Sequence, residues 1–263
     1  MTPLPVSVCI ISGAEERRIG RTLASVSGWV AEVNVVLNEE VTDGTEEICR
    51  AHGARVFREP WRGYGMQKNS ATSKATQPWV LGLDADEVVT PELRDEIIRT
   101  FDDGALTAKF TGFSMPLLSF YAGRWIRHGD WYPDRKTRLW RRGSGRWMGE
   151  GGLHERLRVD GAVGELRADL LHFSYDNLNH HLAKLQTYSD LFANAAVRAD
   201  RRVGVFDLAV RPVWRFLRGY VLRLGFLDGW QGFVIAWMSA LMSFLKYAKL
   251  REAALPGAKD RLR

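Results

Sequence analysis

A chain of 263 residues that is 46% hydrophobic and 26% charged is too apolar for intrinsic disorder, and its 25 glycines follow no period, which excludes a collagen-like repeat. Two cysteines, Cys9 and Cys49, cannot make a disulfide framework and suit a reduced compartment. The net charge of +6 is uneven: from Arg198 onward thirteen Lys/Arg face five Asp/Glu, a surplus of +8, while residues 1–197 sum to −2.

In chain order, residues 5–12 form an apolar, β-branched run predicted as a buried strand. The first residues, MTPLPVSVCII, lack a basic segment followed by a long apolar one, so no signal peptide is expected. A polar loop with Glu15 and Glu16 leads to a helical pattern through Ile19, Leu23 and Val26. A second strand is expected at 32–37. Thr42-Asp43-Gly44-Thr45 then opens a helix with Glu46 and Glu47 in its first turn, where the helix dipole favours acids. A third strand at 54–57, a helix at 66–76 and a fourth strand at 79–83 lead to Asp84-Ala85-Asp86-Glu87. Pro91 suits the first turn of a helix running to about Phe101. This alternation predicts an α/β fold with a mostly parallel sheet, whose ligands bind at the carboxyl ends of the strands. Residues 110–118, 137–140, 146–148 and 166–172 read as further β segments, 177–199 as a helix, and the rest as helical, basic and aromatic.

Asp84 and Asp86 end the fourth strand. Residues i and i+2 of a strand share a face, so both carboxylates can converge on one hard cation. Mg²⁺ and Mn²⁺ take oxygen ligands and often share them with substrate phosphates. A capping or solvated acidic turn would have the same sequence, and about one Asp-x-Asp is expected by chance in a chain this long. The position after an apolar strand gives the pair its weight.

Val6-Ser7-Val8-Cys9-Ile10-Ile11, Glu15-Glu16, Val35-Val36, Thr42-Asp43-Gly44-Thr45, Gln67-Lys68-Asn69 and Val80 to Glu87 occur in an order and spacing that resembles the inverting family 2 glycosyltransferases. That resemblance implies a GT-A fold, a Rossmann-like nucleotide-diphospho-sugar transferase, over residues 1–175, with a basic helical extension over 176–263. Arg138-Leu139-Trp140-Arg141-Arg142, His154-Glu155, Leu171-His172-Phe173 and Phe226-Leu227-Asp228-Gly229 look like one subgroup, the lipopolysaccharide inner-core β-1,4-glucosyltransferases of the WaaE/KdtX type.

The resemblance implies a nucleotide-sugar donor, with a UDP-sugar and glucose favoured, and a lipopolysaccharide core heptose or related lipid-linked glycan as acceptor. Ser12, Glu15, Asn38, Lys68, Asp84 and Ala85 would surround the donor. Asn38 stands where family members usually carry Asp; as donor and acceptor it can still read an imide edge. Asp86, with His154, would hold a divalent Mg²⁺ or Mn²⁺ that acts as a Lewis acid on the departing diphosphate. Inversion by direct displacement requires a base on the acceptor side, and Glu155 is the leading candidate, with Glu150, Asp130 and Glu87 as rivals. Lys68, Arg135, Lys136 and Arg138 can each bind diphosphate or an anionic acceptor, or be solvated surface charges. His172, His180 and His181 read as structural.

In the tail, Val210, Val213, Trp214, Leu217, Val221 and Leu224 share a helical face bordered by Arg211, Arg215 and Arg218. This pattern suits an anionic membrane surface, and equally a helix packed on the enzyme body or in a homo-oligomer. Residues 229–245 carry no charge and sit at the lower limit for spanning a bilayer, so an interfacial or re-entrant segment or a buried oligomer contact is expected. The implied location is cytoplasmic, peripheral on the inner face of a bacterial inner membrane. Two other readings stay open: transfer to polyprenyl phosphate on the same fold, and a basic nucleic-acid-binding protein. No nucleic-acid partner is expected, because no RNP-like, zinc-finger or helix-turn-helix pattern is present and the basic cluster is interleaved with bulky apolar residues.

Overall fold

The computed structural model describes residues 2–149, 155–199, 201 and 203–255. Strand β1 (Leu4–Ser12) is buried on both faces, as its unbroken apolar run requires. Val6, Val8 and Ile10 enter one core, while Cys9 and Ile11 enter a second on the opposite face. Helix α1 (Ile19–Val26) lays Ile19, Leu23 and Val26 on the first core. Then come β2 (Val30–Asn38), α2 (Thr45–Ala51), β3 (Arg55–Glu59), α3 (Tyr64–Ser73) and β4 (Trp79–Asp84). Strands β2, β1 and β4 run parallel, with Ser12 opposite Leu37 and Ile11 opposite Asp84. Their carboxyl ends at Ser12, Asn38 and Asp84 therefore share one edge.

Gly82 in β4 meets a specific packing demand. A Cβ there would lie 2.6 Å from the buried Trp140 ring, so only hydrogen fits beneath the indole. Both cysteines are buried and unpaired, and burial pushes the Cys9 thiol up to about 12 and the Cys49 thiol to about 11.

After β4 the chain turns at once into β5 (Glu87–Val89) and then α4 (Pro91–Asp102), where the Thr90 hydroxyl accepts from the Leu93 amide at 3.1 Å. Helix α5 (Ala105–Lys109) precedes β6 (Gly112–Tyr121), β7 (Arg124–Trp125), β8 (Asp134–Arg141), β9 (Gly145–Met148), β10 (Arg156–Val159), β11 (Val163–Glu165) and β12 (Leu170–His172). The main sheet has the order β3-β2-β1-β4-β8-β6-β12-β5, and β9 and β10 form a separate antiparallel pair. Strand β8 runs antiparallel to β4, and β12 antiparallel to β5. Of the segment expected as a strand at 166–172 only Leu170–His172 is one, because Arg167 and Ala168 donate their amides to Glu96 instead of to a ladder.

The chain divides into two units, one of Met1–Leu117 with Asp134–Phe173, the other of Leu118–Pro133 with Ser174–Arg263. In the second, α6 (Leu178–Arg198) is capped by Asn177, whose side chain accepts from the His180 amide at 2.9 Å. It packs with α7 (Val205–Leu217) on α8 (Gly229–Ala253). A Cβ on Gly232 would fall 1.8 Å from the Gly225 carbonyl oxygen, so the start of α8 is held against the preceding turn by the absence of a side chain. In that turn the buried Asp228 accepts from the Arg127 and His128 amides at 3.1 and 2.7 Å. The residues around Gly225–Ala253 are long and apolar enough to cross a membrane by length and composition alone.

Candidate active site

The sheet unit gathers its chemistry where β1, β2 and β4 end. Ser12 is buried at the end of β1, and its hydroxyl donates to the Gly13 carbonyl at 2.9 Å. Asn38 closes β2 and caps the following turn, accepting from the Glu40 amide at 3.4 Å. Glu15 is fixed by its amide, which donates to the Thr45 hydroxyl at 2.9 Å; Thr45 in turn is held by Asp43, so the Thr42–Thr45 motif ties the first loop to the start of α2.

Asp84 has both carboxylate oxygens engaged. Lys68 Nζ from α3 lies 2.7 Å from Oδ1, and Arg138 Nη2 from β8 lies 2.7 Å from Oδ2. The same guanidinium also donates to Glu87, whose other oxygen accepts from the Asp84 amide at 3.0 Å. Burial acts to raise the Asp84 carboxyl, but Arg138 and Lys68 outweigh it and hold the group well below the usual carboxylate range. Burial and the charge of Asp84 push Glu87 the other way, up, against the pull of Arg138. Trp147 backs the pair of cations, with Lys68 Nζ 4.5 Å from its ring centroid.

Asp86 has different neighbours. Its carboxylate lies 3.5 Å from His172 Nε2 and 3.8 Å from Arg18 Nη1, and Arg18 is also 3.3 Å from Glu15. The meeting with His172 is a register effect: β5 begins directly after Asp86, and β12 pairs with it so that His172 stands opposite Glu87. The Phe173 amide then donates to the Asp86 carbonyl at 3.0 Å and closes the corner. Ala85 is locked from behind, its carbonyl accepting from the Thr22 hydroxyl at 2.8 Å. Burial works to lower the His172 imidazole, but its hydrogen bond and charge interaction with Asp86 raise it.

Tyr64, half-exposed at the start of α3, reports the wider field. Burial raises its hydroxyl first, and the charges of Glu155, Asp84, Glu15 and Asp86 raise it further. Glu155 is also close to α3, its Cγ 3.8 Å from where a Gly65 Cβ would be. Glu155, Glu15, Asp84 and Asp86 thus all bear on the Tyr64 hydroxyl.

Other expected residues fall elsewhere. Glu150 and His154 lie outside the described residues. Glu87 is fully buried and occupied by Arg138. Asp130 belongs to the second unit, where Arg215, Arg218 and Arg223 approach it at 3.4, 3.3 and 3.2 Å. Arg138 is no surface charge but a buried hub at 6% exposure, while Lys136 is exposed and paired with Asp134. Arg135 donates to the Ser114 and Leu166 carbonyls at 2.9 and 2.7 Å and joins strands. His172, expected as structural, stands instead beside Asp86, whereas His181 is a core histidine bonded to the Tyr121 hydroxyl at 2.9 Å. His180 lies near Asp176, which the helical offsets did not suggest. Sequence reasoning missed His172, Tyr64 and Arg18. Only His172 carried a signal, as the centre of Leu171-His172-Phe173.

Among the described residues no group of three or more His, Cys, Asp or Glu side chains surrounds one metal position. Asp86 and His172 nonetheless supply one carboxylate and one imidazole to a common point. That donor pair fits Mg²⁺ or Mn²⁺ when phosphate oxygens fill the remaining positions. Asp84, with both oxygens committed to cations, does not share in it.

A mainly parallel sheet that presents acidic side chains at its carboxyl edge, with antiparallel strands completing it, is the GT-A fold of nucleotide-sugar transferases. The chain belongs to glycosyl transferase family 2, whose family profile matches residues 7–148. It is 31% identical over 95% of its length to an uncharacterized glycosyltransferase of Rickettsia typhi, covering 88% of that protein. It is 30% identical to the lipopolysaccharide core biosynthesis glycosyltransferase LpsC of Rhizobium meliloti, covering 98% of both chains. Among solved structures, S. aureus TarS 1-349 in complex with UDP-GlcNAc aligns with a TM-score of 0.51 at 13% identity, covering 94% of this chain and 90% of that one. The chain is a glycosyltransferase.

Proposed function

We propose that this glycosyltransferase moves a hexose, with glucose from UDP-glucose favoured, onto a heptose of a lipopolysaccharide core or a related lipid-linked glycan, with inversion at the transferred carbon. The observation that carries the reading is the convergence of Asp86 and His172 at the edge where β1, β2 and β4 end. The near full-length likeness to LpsC supports the acceptor class, and the UDP-GlcNAc held by TarS supports a UDP-sugar donor.

Asn38 and Ser12 would face the nucleoside. Lys68 and Arg138 keep Asp84 ionised and fixed, and their charges offset its repulsion of the anionic donor. Asp86 and His172 would hold a divalent cation, which when bound supplies positive charge to the departing diphosphate. Glu155 would accept the proton of the acceptor hydroxyl as that oxygen attacks. The apolar face of α7, with Val213 and Trp214 more than half exposed, would rest on an anionic membrane surface and confine the reaction to lipid-linked acceptors.

A thermal-shift screen of UDP-, GDP- and ADP-sugars with Mn²⁺ tests the donor. Stabilisation by UDP-glucose beyond that by the other nucleotides is the expected result, and no stabilisation by any nucleotide sugar would overturn the reading.

A further inference from the structure

Within the helical unit, α6, α7 and α8 line an open cavity of about 560 Å³. Its lining includes five cationic side chains, Lys184, Arg211, Arg215, Arg218 and Lys246, and no carboxylate. Among the described residues, two acids outside the lining pair with its arginines. Asp207 takes Arg211, and Asp130 is shared among Arg215, Arg218 and Arg223. The wall is therefore left with positive charge in excess. Lys246 has no hydrogen-bond acceptor or acidic partner among the described residues; its ammonium sits 5.1 Å from the centroid of the Phe192 ring. Burial pushes that ammonium down, and the like charge of Arg215 adds to the effect, so an anion placed between them would relieve both costs.

The remainder of the lining is largely aromatic and apolar, with Trp131, Tyr175, Phe192, Trp214 and Met242 among it, beside the polar His181, Ser239 and Ser243. Trp214 belongs at once to this wall and to the exposed face of α7, where it is 54% exposed beside Val210, Val213 and Leu217. A soluble anion would make no use of that continuity. A phosphate carried on an apolar chain would use both parts, its head among the cations and its chain along the aromatic face.

We propose that the cavity between α6, α7 and α8 is a binding site for a lipid-borne phosphate group. The inference rests on the membrane part of the reading above and is independent of its donor chemistry. Lys246, Arg215 and Arg218 supply the charge, and Trp214 the contact with the apolar chain.

The test is co-sedimentation of the full chain with phosphatidylcholine vesicles, with and without phosphatidic acid. Phosphatidic acid is expected to tighten binding. Lys246→Met should weaken that advantage about fivefold, the effect of one lysine at an anionic surface. Lys246→Arg should restore it, and Arg251→Met, which removes a charge from the exposed end of α8 outside the cavity, should leave it unchanged. An equal loss in Lys246→Met and Arg251→Met would mean diffuse surface charge and overturn the proposal, as would an undiminished advantage in Lys246→Met. Loss of the advantage to an equal concentration of inorganic phosphate would assign the cavity to a free anion and overturn its lipid part. Vesicle binding without any preference for phosphatidic acid would keep the membrane reading and reject the cavity. Donor binding, read separately by thermal shift, is untouched by each result.

Discussion

The two units treat charge in opposite ways. In the sheet unit the cations at the strand ends lie against carboxylates: Lys68 and Arg138 on Asp84, Arg138 on Glu87, Arg18 on Glu15 and Asp86. In the helical unit the carboxylate of Asp130 is shared among three arginines, and Lys246 has no acidic partner among the described residues. The first arrangement has its positive charge committed to carboxylates, so an added cation would be needed to hold a diphosphate, with Asp86 and His172 as its proposed donors. The second has positive charge to spare. The net charge of +6 thus conceals two solutions to one problem, the handling of anions.

The comparison breaks most visibly at Arg138. Arg138→Met would leave Asp84 and Glu87 buried without their shared cation, at a cost of about 3–5 kcal/mol, measurable by urea unfolding. A loss below about 1 kcal/mol would mean that the hub is not carrying these carboxylates. Asp86→Ala should leave the fold's stability nearly unchanged while slowing transfer on the order of a thousandfold, since several kcal/mol of transition-state stabilisation depend on the cation it would hold. Matched activity in wild type and variant, with Mn²⁺ saturating, would remove Asp86 from the chemistry.

In the helical unit, burial, helped by the charges of Lys184 and His180, depresses His181 to about 4. The unfolded chain therefore takes up this proton first. Stability linked to the group is complete above about pH 6.5 and falls away as pH drops toward 4, by roughly 3 kcal/mol at 1.36 kcal/mol per unit. His181→Phe should flatten stability over that window when unfolding is followed at successive pH values. The smallest effect is expected at Trp214. Trp214→Ser should leave the melting temperature unchanged and weaken vesicle binding about fivefold, the share of an aromatic's roughly 2 kcal/mol burial that a half-exposed ring can still gain.

Much of the sheet unit was legible because its strands are buried on both faces and read as unbroken apolar runs. Val6–Ile11 and Trp79–Leu83 are of this kind, and their ends fix the edge where Asp84 lies. What could not be read was the pairing of three-residue strands. Glu87–Val89 and Leu170–His172 have no periodicity of their own, yet their register sets His172 beside Asp86. Arg138 illustrates the same limit: β8 alternates its residues, but only the sheet order reveals that this one points at Asp84. In the tail, the amphipathic face of α7 was plain from spacing, and its apolar residues Val210, Val213, Trp214 and Leu217 are exposed. The engagement of Arg215 and Arg218 by Asp130, some eighty residues earlier, depends on tertiary packing that no local pattern encodes.

The central claim, that the carboxylate-rich edge works through a cation held by Asp86 and His172, is tested most directly by electron paramagnetic resonance of Mn²⁺ in the presence of UDP. The wild-type protein should remove far more of the free Mn²⁺ signal than UDP alone does, and Asp86→Asn and His172→Gln should each return it while Asp84→Asn does not. Mn²⁺ uptake no greater than that of UDP alone, or undiminished uptake in both the Asp86 and His172 variants, would contradict the account.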